Sequence, residues 1–176
     1  MRFVLGIVMG MGLVLAGVRS AEACGFWSLA DKERGISVGY HINSATITKA
    51  KKRLGALYLD VENKSGMRVV KDKQVVFDIK AGKVRKRGKA IATVDGGTIM
   101  FGRTKYTIEL SNPTTVHEMA TWELTVKKGD TVIIESKEAS SLCAGMHRDP
   151  PMTEDDKQDE VRRRVILYLA WRETGN

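Results

Sequence analysis

The feature that most constrains this chain is an alternation of apolar and polar side chains, which runs with interruptions from Ile36 to Glu138. Successive side chains of a β-strand point to opposite faces, so this pattern is typical of strands with one buried face. Turn residues such as Asp95-Gly96-Gly97 interrupt it roughly every 8–12 residues, as in hairpins. We therefore predict a mainly β fold, an antiparallel β-sandwich or partly open barrel with one C-terminal α-helix.

The C-terminal segment changes character. Thr153 is predicted as a helix N-cap, because three acidic residues follow it and acids are favourable at the positive end of a helix. Residues 165–171 are apolar without a break, which indicates burial. We predict a helix over 153–173 that packs against a sheet edge or the mouth of the sandwich. A terminal strand from Val165 to Trp171 is the alternative.

The first 23 residues have the pattern of an export signal. A positive start at Arg2 precedes the uncharged apolar run Phe3–Val18, and Ala21-Glu22-Ala23 places small residues at a cleavage site. The run has 16 residues, whereas a membrane span needs about 20. We therefore predict a cleaved signal peptide over 1–23 and a single β-rich domain over 24–176. No transmembrane segment is expected after cleavage, and the predicted location is periplasmic or secreted.

Cys24 and Cys143 are the two cysteines of the chain. An isolated pair usually forms a disulfide in an oxidising compartment, so we predict a bridge between them. The bridge would close a span of 143 − 24 = 119 residues. In the loop-entropy model this corresponds to roughly 4–5 kcal/mol of stabilisation. A lipid anchor on Cys24 is the weaker alternative, because the charged Glu22 replaces the small uncharged residue usual at that position of a lipoprotein signal.

A metal site is the other interpretation of Cys143. Cys143, His147 and Met152 follow one another as Cys-x3-His-x4-Met. This loop resembles the copper-binding loop of the cupredoxin family, whose sites combine one Cys, two His and a weak axial Met. The resemblance implies a copper-binding electron carrier in which His41 or His117 supplies the second imidazole. A bonded sulfur cannot act as a thiolate ligand, so this interpretation and the disulfide exclude each other.

The net charge of +8 is unevenly distributed. Two windows, 49–53 with +4 and 80–89 with +6, carry most of the excess and are predicted to be connecting loops. One interpretation of these windows is an anionic envelope surface, a glycan or an acidic protein as partner. Nucleic acid is not expected, because the windows lack aromatic residues for base stacking. Solvated hairpin tips that keep sheet edges soluble are the other interpretation of these windows, and the sequence favours it. The candidate anion-binding residues are Lys49, Lys51, Lys52, Arg53, Lys80, Lys83, Arg85, Lys86, Arg87 and Lys89.

The sequence contains neither a G-x-S-x-G nor an H-E-x-x-H motif, so we predict no catalytic residues and no cofactor. The favoured function is an exported, non-catalytic β-domain that binds or supports an envelope, glycan or protein partner. The cupredoxin-like copper carrier is the runner-up. A small hydrolase or transferase would require a pocket with convergent acid and base groups.

Overall fold

A computed structural model of the chain describes residues 26–60, 68–111, 113–116, 119–141 and 152–175. Within them the chain forms thirteen strands and one helix. The strands are β1 (Trp27–Asp31), β2 (Ile36–His41), β3 (Ser44–Lys49), β4 (Lys52–Asp60), β5 (Arg68–Lys71), β6 (Gln74–Lys80), β7 (Lys83–Lys86), β8 (Lys89–Asp95), β9 (Thr98–Phe101), β10 (Thr104–Leu110), β11 (Thr114–Val116), β12 (Met119–Lys128) and β13 (Thr131–Ser140). The helix is α1 (Glu154–Thr174). The mainly β composition and the C-terminal helix predicted from the sequence are confirmed.

The strands form one antiparallel sheet that closes on itself. Strands β1 to β10 pair in chain order, β1 also pairs with β13, and β13 pairs with β12. The ring closes because β10 pairs with the second half of β12, from Tyr106 opposite Lys128 to Leu110 opposite Leu124. The short strand β11 pairs with the first residues of β12. The result is a closed barrel of twelve strands, so the expectation of a sandwich or partly open barrel was wrong in this respect.

The alternation of the sequence separates the interior of the barrel from its outer wall. In β1, for example, Trp27, Leu29 and Asp31 are buried, whereas Ser28 and Ala30 are exposed. Every strand from β1 to β10 contributes at least one buried side chain to a single apolar cluster, and β12, β13 and α1 contribute to the same cluster. The core therefore lies inside the ring.

Helix α1 lies in the lumen of the barrel. All seven residues from Arg164 to Ala170 are buried, and seven residues make almost two turns, so the helix is covered on every side. It contacts β13 and, on the opposite side of the ring, β6 and β7. A ring of twelve strands about 4.8 Å apart has a diameter of roughly 20 Å, which leaves about 10 Å between the helix axis and each wall. The predicted packing against a sheet edge or mouth was wrong, because a closed ring offers its interior instead.

The helix termini follow their local chemistry. The hydroxyl of Thr153 accepts a hydrogen bond from the backbone N–H of Asp156, and the Asp156 carboxylate accepts one from the backbone N–H of Thr153. This reciprocal capping satisfies two backbone donors. At the other end, Gly175 has φ 62°, a conformation that favours glycine. The alternative of a terminal strand over 165–171 is thereby excluded.

Candidate anion-binding surface

Strand alternation assigns each turn to one of two ends of the barrel. In an antiparallel ring every second hairpin turn lies at the same end. The turns that follow β1, β3, β5, β7, β9 and β12 therefore share one end, which we call the basic end. Helix α1 begins at the opposite end, the acidic end, with Glu154, Asp155, Asp156 and Asp159 exposed. Its 21 residues span roughly 30 Å between the two ends.

Four neighbouring hairpins of the basic end carry a set of exposed cations. They are the β3–β4, β5–β6, β7–β8 and β9–β10 hairpins, and Asp72 is the one acidic residue in their turns. Each cation is exposed, and none forms an ion pair with any residue in the described ranges. We call this set the basic rim: Lys49, Lys51, Lys52, Arg53, Lys71, Lys73, Arg87, Lys89, Arg103 and Lys105.

Tight turns project these side chains from the end of the barrel. Ala50 and Lys51 form the two-residue turn between β3 and β4, and both have positive φ, 47° and 65°. Asp72 and Lys73 form the corresponding two-residue turn between β5 and β6, with φ of 51° and 62°. Such turns match the twist of the paired strands but are costly for residues other than Gly, Asn and Asp, at roughly 1–2 kcal/mol each. The rim thus includes lysines at strained turn positions.

The remaining hairpins of the basic end are neutralised by ion pairs. In the β1–β2 turn, Lys32 pairs with Glu135 at 2.6 Å. In β12, Lys128 pairs with Glu33 at 3.1 Å. The rim is therefore a segment of the end, spanning eight of the twelve strands of the ring, rather than a uniform property of its turns.

The structure separates the ten predicted anion-binding residues into two groups. Six of them, Lys49, Lys51, Lys52, Arg53, Arg87 and Lys89, belong to the basic rim. The expectation that window 80–89 is one connecting loop was wrong. The window contains strand β7 between two turns, which lie at opposite ends of the barrel. Lys80 and Lys83 consequently lie at the acidic end, where they are in register across the Ala81-Gly82 turn.

Two further residues of that window have partners within the protein. Arg85 donates two hydrogen bonds to the carboxylate of Asp78 on the neighbouring strand, one of them from Nε at 2.9 Å. This pairing raises the pKa of Arg85. The Lys86 ammonium donates to the carbonyl oxygens of Thr174 at 3.3 Å and Gly175 at 3.2 Å. A cation at the C-terminus of a helix offsets its negative end, so Lys86 stabilises α1.

Sequence reasoning missed Lys71, Lys73, Arg103 and Lys105. None of them lies in a dense basic window, because the β5–β6 and β9–β10 hairpins contribute only two cations each. The signal that could have found them is the order of the turns. Counting every second turn along the alternating pattern brings 49–53, 71–73, 87–89 and 103–105 to the same end.

A network of buried charges fixes the end of α1 beneath the basic end. The Asp31 carboxylate is buried and accepts hydrogen bonds from Arg172 Nε at 2.7 Å and from the Tyr168 hydroxyl at 2.8 Å. Arg172 also donates to the Tyr106 hydroxyl at 3.1 Å and to the Glu33 carboxylate. Because every one of these side chains has an internal partner, the network holds the helix in place rather than presenting reactive groups to solvent.

The pKa shifts in this network follow from burial and charge. Burial raises the pKa of Tyr106 to about 12, and the Glu173 carboxylate acts in the same direction. Burial also raises the pKa of Tyr168, with a further contribution from its hydrogen bond to Asp31. Burial alone would lower the pKa of Arg172, but the hydrogen bonds and charges of its partners, Asp31 foremost and then Glu33, together outweigh it, and the pKa is raised. All three groups are thus held in their protonated forms.

A second buried group fixes the start of the lumenal part of the helix. Arg164, fully buried, donates to the carbonyl oxygens of His41 and Ile42, each at 2.9 Å, and to the Glu160 carboxylate at 2.8 Å. The Tyr40 hydroxyl donates to the Arg164 carbonyl at 3.2 Å. These bonds attach α1 to the β2–β3 turn at the acidic end.

The residues of the predicted copper site are only partly covered by the structure. His41 is exposed at the end of β2, with its ring 5.2 Å from that of Phe26. Met152 is half-buried just before α1. His117, Cys143 and His147 lie outside the described residues. Among the side chains that the structure describes, no group of three or more His, Cys, Asp or Glu is arranged to hold a metal ion.

The predicted disulfide partners, Cys24 and Cys143, also lie outside the described residues. The strands that flank them in the sequence are β1, which begins at Trp27, and β13, which ends at Ser140. These strands are hydrogen-bonded neighbours, and the start of β1 and the end of β13 face the same end of the barrel because the pair is antiparallel. The bridge stays a prediction, compatible with the described topology.

Fold and surface together define a class: a closed antiparallel β-barrel filled by its own C-terminal helix, with a polybasic rim at one end. Comparisons with protein-family models, with curated proteins and with solved structures find no match to this chain. Across the described ranges, no helix has the length and apolar character needed to cross a membrane.

Proposed function

We propose that this chain is an exported, non-catalytic binding module that engages an anionic partner through the basic rim. The observation that carries the proposal is the convergence of ten exposed cations from four hairpins on one end of the barrel, with a single acidic residue in their turns. Like charges brought together raise the local positive potential and attract anions. Export rests on the signal pattern of residues 1–23.

The closed ring supports a binding role over the alternative of solubilising tips. Charged residues protect a sheet from edge-to-edge aggregation where strand edges are free. Strands β3 to β10 are each paired on both sides, so the hairpins of the rim have no free edge to protect. Their charge therefore needs another explanation, and a partner of opposite charge supplies one.

Because the lumen is filled, we expect a binding site on the outer surface of the barrel. Barrels that carry small molecules hold them in the interior. Here the buried side chains of α1 occupy that space, with Leu167, Tyr168 and Leu169 fully buried. An envelope surface, a polyanionic glycan and an acidic protein are all partners that the rim could meet from outside.

The experiment that tests this proposal is retention of the mature protein on immobilised heparin, a sulfated polyanion, at rising salt. The variant is Lys49→Gln/Lys52→Gln, which removes two rim lysines that face each other across the Ala50-Lys51 turn. The matched control is Lys80→Gln/Lys83→Gln, which removes two lysines in the same relation across the Ala81-Gly82 turn at the acidic end. Both variants lower the net charge by two.

We expect the rim variant to elute at clearly lower salt than the control, because its charges act together with the other rim cations. The parent protein should elute above about 0.15 M salt, where isolated surface charges are already screened over about 8 Å. Equal elution of the two variants would mean that retention depends on net charge alone, and the proposal would then be abandoned.

A further inference from the structure

The arrangement of the basic rim indicates which anionic partner it fits, an inference that rests on the proposed function. Its four hairpins are consecutive around the ring and cover eight strands. With strands about 4.8 Å apart, this arc is roughly 34 Å long, and its ends face each other across about 20 Å. A phosphate or carboxylate group reaches the tips of one hairpin. A flat anionic surface reaches all four at once.

The orientation of the barrel charges favours an end-on approach. The basic rim lies at one end, and the exposed acids of the α1 start lie at the other, roughly 30 Å away along the helix. This distance is several times the screening length of about 8 Å at physiological salt. A negative surface therefore attracts the basic end while the acidic end remains outside its field.

An exposed leucine stands beside the cations. The pairing of β3 and β4 shifts register between Ile47 opposite Gly55 and Thr48 opposite Arg53, which leaves Leu54 as the extra residue of a β-bulge. Leu54 is 43% exposed. Bulges redirect side chains, and this one places an apolar side chain next to Arg53 at the rim. A sulfated or carboxylated chain has no apolar phase to receive it, whereas a lipid surface does.

Among the described residues, no exposed aromatic side chain that would stack on sugars or bases lies on the basic rim. Phe101, which precedes the β9–β10 turn, is half-buried with its ring 6.0 Å from that of Tyr106. The exposed large hydrophobic aromatic residues among the described ones are Phe26, which precedes β1, and Tyr58 on β4. Both lie toward the acidic end. The rim thus offers cations and one aliphatic side chain, the combination used at anionic membrane interfaces.

We propose that the basic rim docks end-on onto an anionic lipid bilayer surface, with Leu54 entering the headgroup region. The lysines and arginines of the four hairpins contact lipid phosphates and other anionic head groups together. The acidic start of α1 faces away from the surface. The contact is peripheral and reversible, because it depends on many screened charges and one small apolar group.

The test is co-sedimentation of the mature protein with vesicles of phosphatidylcholine alone or with phosphatidylglycerol added. The parent protein should bind only the vesicles that contain phosphatidylglycerol. Each rim lysine should contribute about fivefold in affinity, so Lys49→Gln/Lys52→Gln should bind about 25-fold more weakly. The control Lys80→Gln/Lys83→Gln should stay within about twofold of the parent protein, because its lysines face away from the surface.

A third variant, Leu54→Ala, separates a lipid surface from a polyanionic chain. It should weaken vesicle binding by about fourfold for each CH₂ group that enters the headgroup region, and leave heparin retention unchanged. If Leu54→Ala binds vesicles as strongly as the parent protein does, the lipid assignment is overturned. If the parent protein fails to bind vesicles while the rim variant still loses heparin retention, the partner is a polyanionic chain, and the proposed function stands without this inference. If the rim variant loses neither vesicle binding nor heparin retention, both the lipid assignment and the proposed function are overturned.

Discussion

Replacing Asp31 by Asn tests whether the lumen of the barrel is a low-dielectric interior that holds α1 by charge. The carboxylate is 1% exposed and accepts hydrogen bonds from Arg172 Nε at 2.7 Å, Tyr168 OH at 2.8 Å and the Arg34 backbone N–H at 3.0 Å. Asn has the same shape, but its NH₂ group replaces one of the two acceptor oxygens. Either the Arg172 and Tyr168 donors on Oδ2 or the Arg34 N–H on Oδ1 then lose their acceptor. Arg172 also loses its fully buried counter-charge.

The expected loss follows from this environment. Removing one partner of a buried ion pair costs about 3–5 kcal/mol. We expect the lower end, about 3 kcal/mol, because Glu33 and Glu173 still contact Arg172. For a chain of this length, 1 kcal/mol shifts the melting temperature by about 2–4 °C, so Asp31→Asn should lower it by about 6–12 °C.

The assay is thermal unfolding of the protein by calorimetry, with Asp60→Asn as the matched control. Asp60 accepts from Arg68 Nε and Nη2, both at 2.8 Å, but this pair lies on the outer wall with side chains 28% and 36% exposed. A surface pair contributes at most about 1 kcal/mol. The reasoning is refuted if the two variants lower the melting temperature equally, since burial would then have no effect on the pair.

Three further outcomes are expected. Leu167→Ala should cost about 2–5 kcal/mol of unfolding free energy, because Leu167 is fully buried in the lumen. The same change at Leu54, which is 43% exposed, should cost under about 1 kcal/mol. Similar losses for the two variants in denaturant titrations would contradict the placement of the helix in the lumen. The hydrogen bond from Lys128 lowers the pKa of Glu33 below its ordinary 4.5, so the stability that Glu33 contributes is present above that pH and is lost as the pH falls through the folded-state pKa. The stability difference between the parent protein and Glu33→Gln should accordingly shrink under acid in urea titrations, and a pH-independent difference would exclude this linkage. Mass spectrometry of the exported protein after alkylation without reductant should find no free thiol; two alkylated cysteines would exclude the predicted bridge.

Local features of the fold were predictable because they depend on neighbours in sequence. Alternation in segments such as Ile36–Tyr40 predicts strands, and Thr153 followed by acids predicts the helix start. The structure has β2 and α1 at these places. The candidate surface was predictable only in part. The dense window 49–53 pointed to rim residues. Window 80–89 was divided between the two ends because the fully buried Val84 belongs to the short strand β7, which separates two turns.

The sequence alone determined that this chain forms short antiparallel strands, a C-terminal helix and an excess of positive charge. These properties follow from side-chain periodicity, capping and composition, each readable within a few residues. Only the tertiary structure decided that the sheet closes, since closure depends on the pairing of β10 with β12 and of β1 with β13 across the whole chain. Closure then created a lumen of the right width for α1, and it aligned every second turn at one end. The distribution of charge into a basic and an acidic end is therefore a consequence of ring geometry rather than of any single motif.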